Sequence, residues 1–259
     1  MFQTPVRDAM TSPVVSCAPE LSVELATRDL SEHDISSLAV VQAGQLVGLV
    51  SRADVLPFAI PMGAHPLPER PLAEHAVESI MTRPVVSVRP ETSLAGAAAV
   101  MVERRIHRVI VAEEGRPLGV VSTRDLMDAV ANAPCDVAIS ELATVPVHCV
   151  DVAASIAEAI AQLEELRVTA LIVCEHEQPM GVLSQRGALL AARHAGGSRV
   201  EEAMDAAVIC LHETASVHRA ARLARRMGAR RIVTTRHRSL HGVLSGMDFA
   251  RFVATAANR

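Results

Sequence analysis

Four short strings in this chain place a serine directly after a glycine and two apolar residues, and three of them add an aspartate three residues later. They run over Gly48–Asp54, Gly119–Asp125, Gly181–Gly187 and Gly242–Asp248. A carboxylate so placed can accept two hydrogen bonds from vicinal hydroxyls of a ligand, and the serine can donate its proton. A simpler role is also open to the aspartate, since an acid at the start of a helix caps its free N–H groups.

The strings belong to a repeat that covers nearly the whole chain. The first glycine of every string is preceded, 38 positions earlier, by a methionine or, in one copy, an alanine: Met10, Met81, Ala143 and Met204. Ungapped matches of this kind indicate four copies of one supersecondary unit, here called repeats 1 to 4.

Each repeat shows the same order of local patterns. A short apolar stretch comes first, followed by a segment with apolar residues at helical spacing, such as Leu94–Met101. A β-rich run such as Ile106–Val111 follows, and then a turn such as Glu114-Gly115. The glycine string is predicted as a second strand, and a last helix opens near its aspartate. The predicted order is therefore β-α-β-β-α.

This order, found four times, resembles the CBS domain. The resemblance implies an α/β (α+β) protein with four CBS units at residues 1–60, 72–131, 136–194 and 198–257. It also implies that repeats 1 and 2 form one Bateman module and repeats 3 and 4 a second. The proline-rich segment Phe58–Pro71 separates the first two repeats, whereas the connection near Ala131–Val137 is short, which suggests one flat four-unit disk. The resemblance to the CBS domain also implies a homodimer.

In the CBS family the glycine string is the signature of adenosine binding, so the expected ligand is AMP, ADP, ATP or S-adenosylmethionine. The acid would accept from the ribose hydroxyls, the serine would donate to phosphate, and the Pro-Val stretch of the same repeat would line the base. His107 and Arg108 resemble the His-Arg pair that faces phosphates in the gamma subunit of AMP-activated kinase. Repeat 2 matches best, and its expected ligand contacts are Ser122, Asp125, His107, Arg108, Thr82, Pro84 and Val85.

The other three repeats depart from the pattern to different degrees. Repeat 1 has Ser36 and Ser37 where repeat 2 has its His-Arg pair, so cationic help is missing. Repeat 4 has two arginines there, but Asp205-Ala206-Ala207 replaces its Ser/Thr-x-Pro segment, which puts base recognition in question. Repeat 3 has Gly187 instead of an acid, and its site is expected to be empty or to bind something else. The candidate contacts in repeats 1 and 4 are Thr11, Pro13, Val14, Ser51, Asp54, Arg230, Arg231, Ser245 and Asp248.

Composition excludes several other classes of function. The net charge of -4 and the absence of Trp and Tyr argue against nucleic-acid binding. No apolar run is long enough to span a bilayer and no signal-peptide pattern opens the chain, so a cytoplasmic protein is expected. The five cysteines are expected to be reduced, with Cys149 and Cys210 buried in apolar strands. The histidine and cysteine spacing fits no metal site, and no nucleophile elbow, Walker loop or GxGxxG is present.

These observations predict a regulatory, non-enzymatic sensor that signals to an unknown protein partner. The alternative is a structural interaction scaffold whose ligand sites have decayed, which Gly187 favours. One further feature is the run of arginines in repeat 4, which is either a solvated basic helix or a docking surface for an acidic partner, a polyphosphate or, as a weaker alternative, nucleic acid. Its members are Arg219, Arg222, Arg225, Arg226, Arg230, Arg231, Arg236 and Arg238.

Overall fold

The computed structural model describes residues 1–58, 72–192, 198–237 and 239–256. Most of the predicted linker between repeats 1 and 2, residues 59–71, lies outside this part of the chain, as does Arg238. Within the described residues, each repeat contains the predicted β-α-β-β-α order, which confirms the fold class.

Repeats 1 and 2 each contain three strands and two helices, preceded or followed by single turns of 3-10 helix. In repeat 1 these are β1 (Ser16–Cys17), α1 (Val23–Glu32), β2 (Ser37–Gln42), β3 (Gln45–Ser51) and α2 (Arg52–Val55). In repeat 2 they are β4 (Ser87–Val88), α3 (Leu94–Arg104), β5 (Arg108–Glu113), β6 (Arg116–Ser122) and α4 (Thr123–Ala131).

Repeats 3 and 4 follow the same plan, with one extra short helix at the start of repeat 4. Repeat 3 contains β7 (Cys149–Asp151), α5 (Ile156–Glu165), β8 (Ala170–Glu175), β9 (Gln178–Ser184) and α6 (Gln185–Ala192). Repeat 4 contains α7 (Val200–Ala203), β10 (Ile209–His212), α8 (Val217–Met227), β11 (Ile232–Arg236), β12 (Ser239–Leu244) and α9 (Gly246–Thr255).

Each repeat forms its own three-stranded sheet. The first strand pairs parallel to the second, across the intervening helix, and the second and third form an antiparallel hairpin. In repeats 1 and 2 the hairpins turn through Ala43-Gly44 and Glu114-Gly115, and all four residues have positive φ. Two successive positive φ values match the twist of the flanking strands, which explains why glycine is found at the second position.

Local sequence also explains where the long first helices begin. Ser22, Ser93, Ser155 and Ser216 each accept a hydrogen bond through the side chain from the backbone N–H three residues later. Such a cap satisfies a donor that the helix itself leaves free. The predicted apolar face of α3 is buried, and its members are Leu94, Ala97, Ala98 and Met101.

The chain divides into two compact bodies that do not follow the order of the repeats. Body A contains Met1–Val14, Val86–Val147 and Val208–Arg259, and body B contains Val15–Val85 and His148–Ala207. Body A thus contains the sheets and long helices of repeats 2 and 4, and body B those of repeats 1 and 3. The pairing of repeats into two Bateman modules stays a prediction.

Each body has its own apolar core. In body A, α3 packs on α9, and α4 packs on both α8 and α9. Met101, Leu126 and Phe249 are fully buried there. In body B, α5 packs on α6, with Ile160, Leu163 and Leu171 in the core. These cores fix the helices that open at the glycine strings, and hence the position of the candidate site residues.

Candidate functional site

Each repeat has a short lead segment before its first strand. The four lead segments are residues 10–13, 81–84, 143–146 and 204–207. Each pairs with the string of another repeat. In body A, Thr11 of repeat 1 exchanges two backbone hydrogen bonds of 3.0 Å with Val120 of repeat 2. The remaining pairs are Thr82 with Leu49, Thr144 with Val243, and Asp205 with Val182. Thr11 and Thr82 therefore each lie beside the string of the other repeat, which corrects the expectation that they lie beside the string of their own repeat.

This crossing explains why each string begins with a glycine. A Cβ atom on Gly119 would lie 2.5 Å from Met10 Sδ, and one on Gly181 would lie 2.6 Å from Met204 Sδ. Only glycine leaves room for the methionine of the crossing segment. The two residues that define the repeat therefore meet between repeats and not within one.

The serine and aspartate of each complete string form a reciprocal cap at the start of the last helix. Asp125 Oδ2 accepts from the Ser122 backbone N–H at 2.7 Å and from Ser122 Oγ at 2.8 Å. Ser51 with Asp54, and Ser245 with Asp248, repeat these bonds at 2.6 to 2.7 Å. Capping is thus one role of the acid. The phosphate contact predicted for the serine would compete with this bond.

The second carboxylate oxygen distinguishes the three acids. Asp125 Oδ1 accepts no hydrogen bond from the described residues, and Asp125 is half-buried. Asp54 Oδ1 lies 3.4 Å from Thr82 Oγ1, a long contact. Asp248 is completely buried, and its Oδ1 accepts from Thr144 Oγ1 at 2.8 Å and from Arg251 Nη1 at 2.6 Å. Of the three acids, Asp125 is therefore the one whose second oxygen has no donor in the described part of the chain.

A second acid, which the sequence-based prediction of the site lacked, stands near Asp125. Asp128 lies one turn further along α4, and its buried Oδ1 atom has no hydrogen-bond partner among the described residues. Burial, followed by the negative charge of Asp125, raises the pKa of the Asp128 carboxyl. The three-residue spacing on a helix could have indicated this neighbour.

Four cationic or potentially cationic side chains of repeats 2 and 4 lie in body A. Arg108 opens β5 opposite Ser122, and the carbonyl of His107 accepts from the Thr123 backbone N–H at 2.9 Å. Burial, and then the charges of Arg108 and Arg231, lower the pKa of His107 to about 4. Burial and the charge of Arg230 lower the pKa of Arg231 to about 10, while Asp248 opposes this shift. His107 and Arg231 are therefore electrostatic neighbours although they belong to different repeats.

The Thr-x-Pro segment missing from repeat 4 is supplied to its acid by repeat 3. The Thr-x-Pro segment of repeat 3 is Thr144, Val145 and Pro146, and Thr144 Oγ1 donates to the Asp248 carboxylate. The altered segment of repeat 4 therefore does not lie beside Asp248, and the part that Asp248 plays in base recognition stays a prediction. Asp205-Ala206-Ala207 instead lies beside the string of repeat 3.

At the string of repeat 3, both the aspartate of the string and the threonine of the paired lead segment are replaced. Gly187 brings no acid, and a Cβ there would lie 2.8 Å from the Ala203 carbonyl oxygen. Asp205 replaces the threonine, and its Oδ1 accepts from the Ala207 backbone N–H at 3.0 Å. Any larger side chain at position 187 would require the α7 backbone to move.

The basic run of repeat 4 is only partly paired. Arg236 donates to both carboxylate oxygens of Glu213, and Arg225 donates to Asn132 Oδ1 at 2.7 Å. The remaining exposed arginines on α8 form no ion pair within the described residues; these are Arg219, Arg222 and Arg226. Their opposite helix face is buried against body A, so α8 is a surface helix with a basic outer face.

Two further predictions concern metals and cysteines. The described part of the chain contains no group of three or more metal-ligating side chains close enough to hold an ion. It also contains no helix of the length and apolarity that crossing a membrane requires. Cys210 is exposed, which corrects the expectation that it is buried, and Cys149 is half-buried.

Sequence comparison identifies relatives for parts of this chain. Inosine-5'-monophosphate dehydrogenase of Korarchaeum cryptofilum is 33% identical over 117 residues, which cover 44% of this chain and 21% of the enzyme. The chain therefore matches only about a fifth of that enzyme's length. The CBS domain-containing protein YhcV of Bacillus subtilis is 23% identical over 144 residues, or 55% of this chain and 98% of that protein.

Structural comparison covers nearly the whole chain. A Methanocaldococcus jannaschii protein, proposed as an archaeal homologue of g-AMPK, has a TM-score of 0.85 at 15% identity, covering 96% of this chain and 99% of that chain. An uncharacterized conserved protein from Pyrococcus horikoshii has a TM-score of 0.68 at 20% identity, covering 96% and 100%. At these identities the likeness shows a shared fold.

The repeats themselves match a known family of domains. The CBS domain matches residues 6–59, 77–132, 139–194 and 200–255, which together make up most of the sequence. The sheets, reciprocal caps and crossing lead segments described above fall within these four ranges. The chain therefore belongs to the CBS domain family and contains four CBS domains.

Proposed function

We propose that this protein is a regulatory sensor that binds an adenosine-containing ligand, either AMP, ADP, ATP or S-adenosylmethionine, and signals to a partner protein. The observation that carries the proposal is the Asp125 carboxylate. Ser122 holds Oδ2 in place, and Oδ1 accepts no hydrogen bond from the described residues. A fixed carboxylate with a spare acceptor suits the paired hydroxyls of a ribose.

The crossing segments suggest which residues would line the base at each acid. At Asp125 the neighbouring segment is the one that carries Thr11, Pro13 and Val14, because Thr11 pairs with Val120 beside the string. At Asp54 the neighbouring segment carries Thr82, Pro84 and Val85. The proposal therefore assigns Thr82, Pro84 and Val85 to the Asp54 site.

The phosphate groups of the ligand would bind to the basic residues of body A. His107, Arg108, Arg230 and Arg231 combine two repeats in one region of positive charge. Arginine suits phosphate because its planar guanidinium can donate two parallel hydrogen bonds. An approaching phosphate would also favour the protonated form of His107, which burial and the neighbouring arginines disfavour.

The carboxylate of Asp248 differs from that of Asp125 because both of its oxygens already accept hydrogen bonds. Its carboxylate is saturated by Ser245, Thr144 and Arg251. A ribose could bind there only by displacing Thr144 or Arg251. We therefore propose that Asp125 binds ligand more tightly than Asp248, and that a ligand acts by favouring one arrangement of the chain over another.

Isothermal titration with the four ligands, using the full chain, tests this proposal. We expect at least one to bind, and Asp125→Asn to weaken that binding at least about tenfold, because a neutral amide with a single acceptor oxygen replaces the charged carboxylate. Asp248→Asn is the matched control, since it also alters a capping acid but should change the affinity of the Asp125 site less than about threefold. No heat from any of the four ligands at millimolar concentration would overturn the proposal.

A scaffold with decayed sites is the second candidate function. The string of repeat 3 favours it, because that string lacks both the acid and the threonine. Under this alternative, a partner isolated with the protein would bind equally well with or without nucleotide, and Asp125→Asn would leave that binding unchanged. Under the sensor proposal, adding nucleotide would change the affinity for the partner, and Asp125→Asn would reduce that change. Light scattering of the same samples tests the proposed homodimer.

A further inference from the structure

Two thiols in the sheet of repeat 3 are in direct contact. Cys174 Sγ donates a hydrogen bond to Cys149 Sγ at 2.8 Å. The two residues stand on the adjacent parallel strands β7 and β8, where Cys149 is opposite Ile172 and Cys174 follows two residues later on the same face. The pairing of two strands, and not chance proximity of mobile loops, brings the sulfurs together.

We infer that Cys149 and Cys174 form a thiol–disulfide exchange site that reacts with small disulfides such as glutathione disulfide. The two thiols differ in access. Cys149 is half-buried and can be reached from solvent, whereas Cys174 is buried. This difference assigns the first attack to Cys149 and the second to Cys174, since the thiolate is the nucleophile and must meet the disulfide.

The environment of Cys174 supports this order. Burial, the bond to Cys149 and the negative charges of Asp151 and Glu177 raise the pKa of its thiol to about 12. In the reduced protein Cys174 is therefore protonated and a poorer first nucleophile than Cys149. It then acts as the resolving thiol, because it is already in contact with Cys149.

The exchange balances in two steps. The Cys149 thiolate attacks one sulfur of glutathione disulfide, the glutathione S–S bond breaks, and one glutathione leaves and takes up the proton that Cys149 lost. The sulfur of Cys174 then attacks Cys149 Sγ, the mixed disulfide breaks, and a second glutathione leaves with the proton of Cys174. Two protein thiols are oxidised by two electrons, and one glutathione disulfide is reduced to two thiols.

Repeat 4 provides a comparison within the same chain. Cys210 occupies the position that corresponds to Cys149, and Thr235 occupies the position that corresponds to Cys174. Thr235 Oγ1 donates to the Leu211 carbonyl at 3.4 Å. Cys210 can therefore form a mixed disulfide with glutathione, but it has no thiol at the corresponding place to resolve it.

Peptide mapping of the full chain in glutathione buffers of increasing oxidised fraction tests the inference. After alkylation and digestion without reductant, we expect the peptide map to contain a Cys149–Cys174 disulfide and, separately, glutathione bound to the exposed Cys210. Cys174→Ser should stop the reaction at a mixed disulfide on Cys149, and Cys149→Ser should leave Cys174 unreacted. Cys210→Ser, the matched control, should leave the disulfide yield unchanged.

Two results would overturn the inference. One is full alkylation of Cys149 and Cys174 at every ratio of oxidised to reduced glutathione. The other is a disulfide map in which these cysteines pair with other residues or between chains. Circular dichroism of each variant confirms that it is folded, and Thr235→Cys adds an independent arm, since it should create a second internal disulfide with Cys210.

Discussion

Thr144 and Asp248, which are 104 residues apart in the sequence, are joined by a hydrogen bond of 2.8 Å from Thr144 Oγ1 to Asp248 Oδ1. The acceptor is a completely buried carboxylate. The corresponding bond in body B, from Thr82 to Asp54, is 3.4 Å long and exposed. The same pair of positions is therefore used as a tight structural contact in one body and left loose in the other.

This difference gives a first prediction about stability. Thr144→Val should lower the free energy of unfolding by about 1–2 kcal/mol, because a bond to a buried charge is lost without a change of shape. Thr82→Val, the matched control, should lower it by less than about 0.5 kcal/mol, since the bond it removes is long and exposed. Urea unfolding followed by circular dichroism measures both. Equal losses in the two variants would contradict the distinction.

A second prediction concerns a hydroxyl buried in the core of repeat 4. Thr234 is fully buried on β11, and its Oγ1 has no hydrogen-bond partner among the described residues. The corresponding position of repeat 3 is Val173, which is also fully buried. Thr234→Val should therefore raise the free energy of unfolding by about 1 kcal/mol, because an unsatisfied buried hydroxyl is removed at constant shape.

The reverse exchange in repeat 3 is the control for this prediction. Val173→Thr should lower the free energy of unfolding by about 1–3 kcal/mol, since it places a hydroxyl in an apolar core. If Thr234→Val were destabilising instead, the hydroxyl would have a partner that the structure does not show. Denaturant midpoints of the two variants and the parent chain decide the matter.

A third prediction is a pH dependence that originates at His107. Its pKa is about 4 in the folded protein and 6.5 ordinarily, so the unfolded chain binds more protons between these values. Stability from this group is complete above pH 6.5 and decreases as the pH falls toward 4. Between pH 7.5 and pH 5 the loss should be about 2 kcal/mol.

Urea unfolding at several pH values, with His107→Gln as the comparison, isolates this contribution. The variant lacks the titrating imidazole, so the difference between the two curves should shrink by about 2 kcal/mol as the pH falls to 5. Parallel curves for the parent and the variant would show that His107 is not held neutral by burial and by its arginine neighbours.

A fourth prediction tests the crossing of the lead segments through ligand binding. In an Asp54→Asn/Asp248→Asn background, Asp125 is the remaining intact acid of the three. Val14→Glu should then weaken adenosine-ligand binding by more than about tenfold, since it places a charge beside the proposed base site. Val85→Glu should have little effect, because its segment pairs with the string of repeat 1. The opposite ranking, measured by titration calorimetry, would restore the assignment of each segment to its own repeat.

The β-α-β-β-α order of every repeat could be predicted from the sequence because its signals are local. Helical spacing in α3 and the Glu114-Gly115 turn each act over a few residues, and the structure confirms both. The aspartates at the glycine strings were likewise expected as possible caps. Four copies of the same pattern made the family recognisable before any contact was known.

The tertiary structure decided which residues meet. The 38-residue spacing between methionine and glycine is the same whether the segment folds onto its own repeat or onto another, so the sequence contains no signal for the choice. The structure places Thr144 at Asp248 and Asp205 beside the string of repeat 3. The missing Thr-x-Pro segment therefore affects the string of repeat 3 and not that of repeat 4. The contact of Cys149 with Cys174 likewise depends on the register of two strands, a long-range property that local residue patterns do not specify.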